Sequence, residues 1–435
     1  MNMYPLFESK WYGYLALTFL SIHTITMIPY HQVSQVSQGL FLLLSLPLLV
    51  LKRKTIFRDP MVIALGGVLI IQILSWANSY FNYPEFASSG PKLDRLAKLF
   101  SFVFIAYWLK GKVTNIYLLL TCYLVSIILA FLSYPNFLND FIRGWNGARV
   151  DFGMKNAQYT SMFGGMGLLI GAFLIFHINR YKTYPQPYVR FGLSVLSLVA
   201  CSFFFSLLVI SQSRQAWTAL SLALLILPLF AKVTFPQIKT KFVLSTYLVI
   251  GLALFSFSQM DIIQQRTSVE SGTLSAILRG DFNNIPMSSI GIRVNSWIAA
   301  LDWIKANPLI GADSNAISEV IAQSPKFIAA KITGFGHLHN YHLETLVAYG
   351  VLGLITLYFV YYWSIASTFK ASKLNPDARP FTLLAMAFLV FWVVINCFET
   401  FSGRRYGVFT HNVLFGCCYT FYLTQSLRKK ESTKE

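Results

Sequence analysis

Apolar runs of about 17–25 residues recur along the whole of this chain, each long enough to cross a hydrocarbon core of roughly 30 Å as a helix. Within lipid every backbone N–H and C=O must be satisfied by the chain itself, which restricts such runs to helices or closed barrels. The runs show no strict alternation of apolar and polar residues, so helices are expected. They fall at 11–29, 34–51, 61–79, 96–109, 114–134, 158–178, 191–210, 214–231, 242–258, 340–366, 381–399 and 407–425. The fold class expected is an all-α polytopic membrane protein of about twelve transmembrane helices, with both termini on one side. Residues 1–258 would carry helices one to nine, 259–338 a large loop, and 339–435 the last three helices and a short tail.

Charge supports this layout and excludes another. The formal net charge is +18, but only 12% of residues are charged, and the basic ones sit in short clusters between the apolar runs. A nucleic-acid partner would call for a soluble basic face; basic clusters in short loops instead mark the cytoplasmic side. Lys52, Arg53, Lys54, Arg58, Lys110, Lys112, Lys239 and Lys241 all fall in loops on the side of the termini, which is therefore expected to be cytoplasmic. The run 11–29 lacks a small-residue cleavage site and reads as a retained first span. Cys122, Cys201, Cys397, Cys417 and Cys418 lie within apolar runs and are expected as buried thiols without disulfides.

The longer loops, 80–95, 135–157 and 259–338, all fall outside, so function is expected there. Within the third, Val294, Trp297, Ile298, Leu301 and Ile304 recur at helical spacing before Asn307-Pro308, which predicts an amphipathic helix over 290–305 using that apolar face. A second is predicted over 314–321. Helices starting near Asn156, Ser213, Asn340 and Arg405 point their N-termini outward, where free N–H groups favour anions. Lys92, Arg95, Arg143, Arg149, Lys155, Arg214, Arg293, Arg404 and Arg405 surround those ends, a setting suited to phosphate. Arg214 stands in a turn short enough to hold it at membrane level, where an uncompensated guanidinium costs a few kcal/mol. It can snorkel, pair with a distant carboxylate, or bind a phosphate.

The densest chemistry lies at 336–344, Gly-His-Leu-His-Asn-Tyr-His-Leu-Glu, where the loop re-enters the membrane. No metal site is expected, because HExxH is absent and no two of His337, His339 and His342 stand at i, i+4. Histidines at a helix start can also serve as caps. A third reading makes His339 the base for an acceptor hydroxyl, since an imidazole of ordinary pKa near ~6.5 suits proton transfer at neutral pH. Asn340 and Glu344 would then orient its ring, with His337 and His342 structural. Gly350 and Gly353 read as a small-residue face that lets another helix approach.

Three motifs in order resemble those of the bacterial O-antigen ligases and the wider O-antigen ligase/polymerase superfamily. They are Ser213-Arg214-x-Ala216, then Arg293-x-x-x-Trp297 leading to Pro308-Leu309-Ile310-Gly311, then His339-Asn340 followed by Gly350-x-x-Gly353. Gln215 departs from the pattern, where a glycine is frequent. The resemblance implies a GT-C-like glycosyltransferase of the bacterial inner membrane with its large loop and active site facing the periplasm. It would move a polysaccharide from undecaprenyl diphosphate to a sugar hydroxyl of the lipid A–core oligosaccharide, in lipopolysaccharide biosynthesis, with inversion and with no metal or other cofactor. His339, Arg214 and Arg293 would be catalytic, and Arg214, Arg293, Arg143, Arg149, Lys92 and Arg95 would bind the diphosphate. A polymerase using a second lipid-linked glycan as acceptor is the nearest alternative. A transporter of lipid-linked sugars belongs to another class; it would need ionisable groups near the midplane, for which His23 is the main candidate.

Overall fold

The structure is a computed structural model that describes residues 7, 9–180, 186–268 and 271–432. All of its regular elements among these residues are helical. The main helices are α1 (Lys10–Thr26), α2 (His31–Leu51), α3 (Pro60–Asn82), α4 (Phe102–Leu109), α5 (Val113–Leu132), α6 (Phe137–Trp145), α7 (Ala157–Arg180), α8 (Pro187–Ile210), α9 (Arg214–Thr234), α10 (Thr240–Ser258), α11 (Ser289–Ala306), α12 (Ala316–Ala322), α13 (Tyr341–Leu374), α14 (Arg379–Asn396) and α15 (Arg405–Ser432). Nine helices among the described residues are long and apolar enough to cross a membrane. The protein is a multi-pass membrane protein. The three remaining expected spans are α1, α4 and α15.

The expected span 96–109 is not one helix. It is broken into Asp94–Ala97, a 3-10 turn at Lys98–Phe100 and the eight-residue α4. Side chains of α15 satisfy the backbone groups of this broken segment: Asn412 Oδ1 accepts from Phe102 N at 3.2 Å and its Nδ2 donates to Lys98 O at 2.9 Å, while Thr420 Oγ1 donates to Ala106 O. That exchange is what allows irregular backbone at such depth, since protein replaces the missing water. Helix α15 is the centre of the bundle, with Val413, Phe415, Tyr419 and Phe421 all buried. At the opposite extreme, α10 buries Val243 and exposes Leu244, Leu248, Leu252 and Phe255, a surface suited to lipid.

Glycines let α7 and α8 pack closely: a Cβ on Gly164 would come within 2.9 Å of Leu208 N, and one on Gly167 would strike the Phe204 ring. Gly350 and Gly353 do something different. Gly350 is a break in α13 (φ 61, ψ −164), and what enters the break is the turn Pro308-Leu309-Ile310-Gly311 rather than another helix. Val351 N donates to Pro308 O at 2.8 Å and Leu352 N to Leu309 O at 3.2 Å; in return Ala312 N and Asp313 N donate to Val347 O and Ala348 O. Gly353 is required by the break itself, since a Cβ there would lie 2.3 Å from Tyr349 Cβ.

Helix α11 forms where expected, but with a different face inward. Gly291, Asn295, Ser296 and Ala300 are buried, while Ile298 and Leu301 of the predicted face are exposed. Small residues allow the close approach to the loop before α13, where Ser296 Oγ donates to Leu338 O at 3.2 Å, while Trp303 and Ile304 stay half-buried against the core of the long loop. Histidines inside spans also exceed the expected one. His23 is joined by His177 and His411, all buried among aromatic rings, and His23 Nδ1 lies 2.8 Å from Ser34 Oγ.

Candidate active site

Two loops converge at the end of the bundle that carries the long loop. One runs into α13 and presents His337 and His339; the other links α14 to α15 and presents Glu399. His339 sits at φ 52, a left-handed conformation that costs a residue with a Cβ on the order of 1–2 kcal/mol. Its Nδ1 lies 3.3 Å from Glu399 Oε2. Thr400 N donates to the other carboxylate oxygen at 3.1 Å, and His337 Nε2 stands 3.9 Å from it. The two imidazole centres are 4.2 Å apart.

Electrostatics separate these groups. Burial pushes the Glu399 carboxyl up, but the bond with His339, its charge and the Thr400 N–H outweigh burial and hold it below the ordinary carboxylate range. Burial, and then the neighbouring His339, pushes His337 down to about 4. At neutral pH the site therefore holds an ionised Glu399 beside a neutral His337.

Glu399 was invisible as a partner in the sequence, because it lies sixty positions from His339. The residues expected to orient the imidazole act on backbone instead. Asn340 caps α13, its Oδ1 accepting from His342 N and Leu343 N at 3.1 Å each. Glu344 Oε1 accepts from Leu338 N at 2.8 Å and from Thr400 Oγ1 at 2.7 Å, which ties the His339 loop to the Glu399 loop. His342 Nε2 lies 3.1 Å from Val393 O of α14. Helix α11 adds a second clasp across both loops: Arg293 Nε donates to Phe398 O at 3.1 Å, and Trp297 Nε1 to Leu338 O at 3.0 Å. Each bond lands one residue before a member of the His339–Glu399 pair.

Arginines gather on this side. Arg149 is held below its ordinary range by burial first, then by Arg266, Arg293 and Arg214, with Asp151 opposing. Arg214 Nη1 donates to Arg266 O, and Arg266 Nε to Gln212 O, across the turn that opens α9. Arg266 had no motif to announce it. Arg143, itself exposed, instead pairs with the buried Asp140 at 3.0 Å. Lys92 donates to Asn315 Oδ1 at 2.6 Å, and Arg95 lines a separate wall with Lys98 and Arg404, around a cavity of about 330 Å³ reached also by His337, Glu344 and Thr400.

His337, His339 and Glu399 bring three metal-capable atoms within 4.8 Å of one another. Two imidazoles and one carboxylate are a donor set that a divalent cation accepts. The spacing of the histidines alone gives no sign of this donor set, because Glu399 lies sixty positions from His339.

Residues 199–358 match the O-antigen ligase family. The matched stretch takes in Arg214, Arg266, Arg293 and His339 but ends before Glu399 and Arg404. An uncharacterized protein of Haemophilus influenzae is 27% identical over 184 residues, 42% of this chain and 43% of that protein. The match thus spans less than half the length of the relative. The O-antigen ligase family named by the three motifs is the family found, and the chain carries a region of O-antigen ligase/polymerase type in a multi-pass membrane bundle.

Proposed function

We propose that this protein is an O-antigen ligase of the bacterial inner membrane, with both termini cytoplasmic and the His339 loop facing the periplasm. It transfers a polysaccharide from undecaprenyl diphosphate to a sugar hydroxyl of the lipid A–core oligosaccharide. The observation that carries this reading is His339, strained and set against ionised Glu399 beside a group of arginines. Strain kept by a side chain with chemistry points to function.

In this mechanism the Nδ1–H of His339 donates to Glu399, which leaves Nε2 as the base. The acceptor oxygen attacks the anomeric carbon and its proton passes to Nε2. The bond from that carbon to the diphosphate oxygen breaks, and the diphosphate leaves with the electron pair. A single displacement inverts the anomeric configuration. Arg214, Arg293, Arg149 and Arg266 supply fixed positive charge where the leaving group develops its own. Arg143, exposed and already paired with Asp140, is a poorer ligand.

The test uses purified protein with undecaprenyl-diphosphate glycan and lipid A–core. His339→Asn keeps a residue that tolerates the left-handed conformation; transfer is expected to fall about 10²–10⁴-fold, and Arg214→Ala to weaken donor use. A His339→Asn protein as active as wild type overturns the reading. Activity that vanishes with a chelator and returns with a divalent cation would reassign His337, His339 and Glu399 to a metal. Extension of a second lipid-linked glycan with no product on lipid A–core would make the protein a polymerase.

A further inference from the structure

A second cavity, of about 490 Å³, runs along α1, α2 and α15 next to the first. Its polar lining includes His31, Gln35, Gln38, Lys98, Arg405 and Asn412, with Asp94 beside Lys98, and its deeper wall is apolar, from Leu20, Phe41 and Phe409 among others. Positions i, i+4 and i+7 share one face of a helix, so His31, Gln35 and Gln38 form a stripe descending α2 into the bundle. Ser34 and Ser37, on the adjoining face, are buried against protein; the stripe is not, with Gln35 exposed and Gln38 half-buried. His31 Nδ1 is buried without a hydrogen-bond partner. Polar groups at membrane depth are costly unless something polar meets them, and this stripe shares its cavity with two cations, Lys98 and Arg405, and one carboxylate, Asp94.

The two cavities share a wall. Lys98 lines both, with Nζ donating to Gly403 O at 3.1 Å; of the next two residues, Arg404 lines the first cavity, which His337 and Thr400 also line, and Arg405 the second one. Polar carboxamides, cations and an apolar floor together match an anionic saccharide carried on a lipid chain, and they differ from the arginine group assigned to the donor.

We propose that this second cavity holds the headgroup of the acceptor glycolipid, whose hydroxyl reaches His339 past Lys98. The proposal rests on the glycan-transfer reading above. Two sources share the required chemistry: phosphorylated core sugars on lipid A, or a second glycan on a lipid diphosphate.

The test compares wild type with Gln35→Leu/Gln38→Leu and, separately, Arg405→Gln, in steady-state transfer from undecaprenyl-diphosphate glycan to purified lipid A–core in one arm and to undecaprenyl-diphosphate-linked single repeats in the other. The acceptor KM is expected to rise about tenfold, the loss of roughly one or two hydrogen bonds, with donor KM and kcat within about twofold. The arm in which wild type is active identifies the source. A rise in donor KM instead, or two unchanged KM values in both variants, overturns the assignment. Failure of the transfer reading looks different: wild type then transfers in neither arm, or His339→Asn transfers as well as wild type.

Discussion

His339 and Gly350 adopt the same left-handed sign of φ, 52 and 61, on either side of the first turns of α13, yet for opposite reasons. At Gly350 the backbone of another segment fills the space where a Cβ would stand, and the Pro308 and Leu309 carbonyls accept hydrogen bonds within the break. At His339 nothing forbids a side chain; the strain is carried by an imidazole that meets Glu399. The contrast separates two uses of an unfavourable conformation. One lets backbone approach backbone, and glycine makes it nearly free of strain. The other holds a reactive group at a set angle, at a cost that the Glu344 and α11 ties offset.

Substitutions that swap these roles test the contrast, and the largest effect is expected at the break. A Cβ on Gly350 would lie 2.3 Å from Leu309 C and O, so Gly350→Ala should destabilise the fold by about 3 kcal/mol or more, through overpacking and left-handed strain together. Thermal melting in detergent would show it, and a variant melting like wild type would remove the structural role given to the Pro308–Gly311 turn. Next comes Glu399→Gln, which keeps shape and removes charge. It should lower kcat about 10²-fold with donor KM little changed and melting close to wild type. A fall in stability with unchanged kcat would place Glu399 among the structural ties, alongside Glu344.

The smallest effect concerns His337. Its folded value of about 4 lies below the ordinary 6.5, so between these pH values the unfolded chain takes up a proton that the folded site refuses. Its contribution is full above 6.5 and is lost as pH falls through about 4. Glu399 has the same sign, with its contribution present above the ordinary carboxylate value and lost only as pH falls through its depressed folded value. His337→Asn should therefore melt at a smaller disadvantage, or an advantage, relative to wild type as pH drops from 7.5 to 4.5. A difference independent of pH would mean that His337 is not held neutral in the site.

Much of the molecule was legible beforehand. Apolar length gave the membrane helices, since no other arrangement satisfies the backbone in lipid. The motifs marked Arg214, Arg293, His339, Gly350 and the Pro308–Gly311 turn, although not that the turn and the glycine meet. Less was legible where partners are distant in the chain. The Glu399 and Arg266 side chains sit in no motif, and the cavity on α2 is assembled from segments separated by hundreds of residues. Asn340 and Glu344 were placed beside the imidazole by proximity in sequence, whereas backbone N–H groups claimed them.

The sequence by itself determined that this chain is a bundle of membrane helices with its titratable side chains gathered where the long loop re-enters, because hydropathy and helix geometry act locally along the chain. Only the tertiary structure decided which carboxylate faces His339, which face of α11 turns inward, and why α13 breaks at Gly350. Those depend on which loops close over one another, and contacts between distant segments are fixed by packing and hydrogen-bond satisfaction in three dimensions, which no local pattern records.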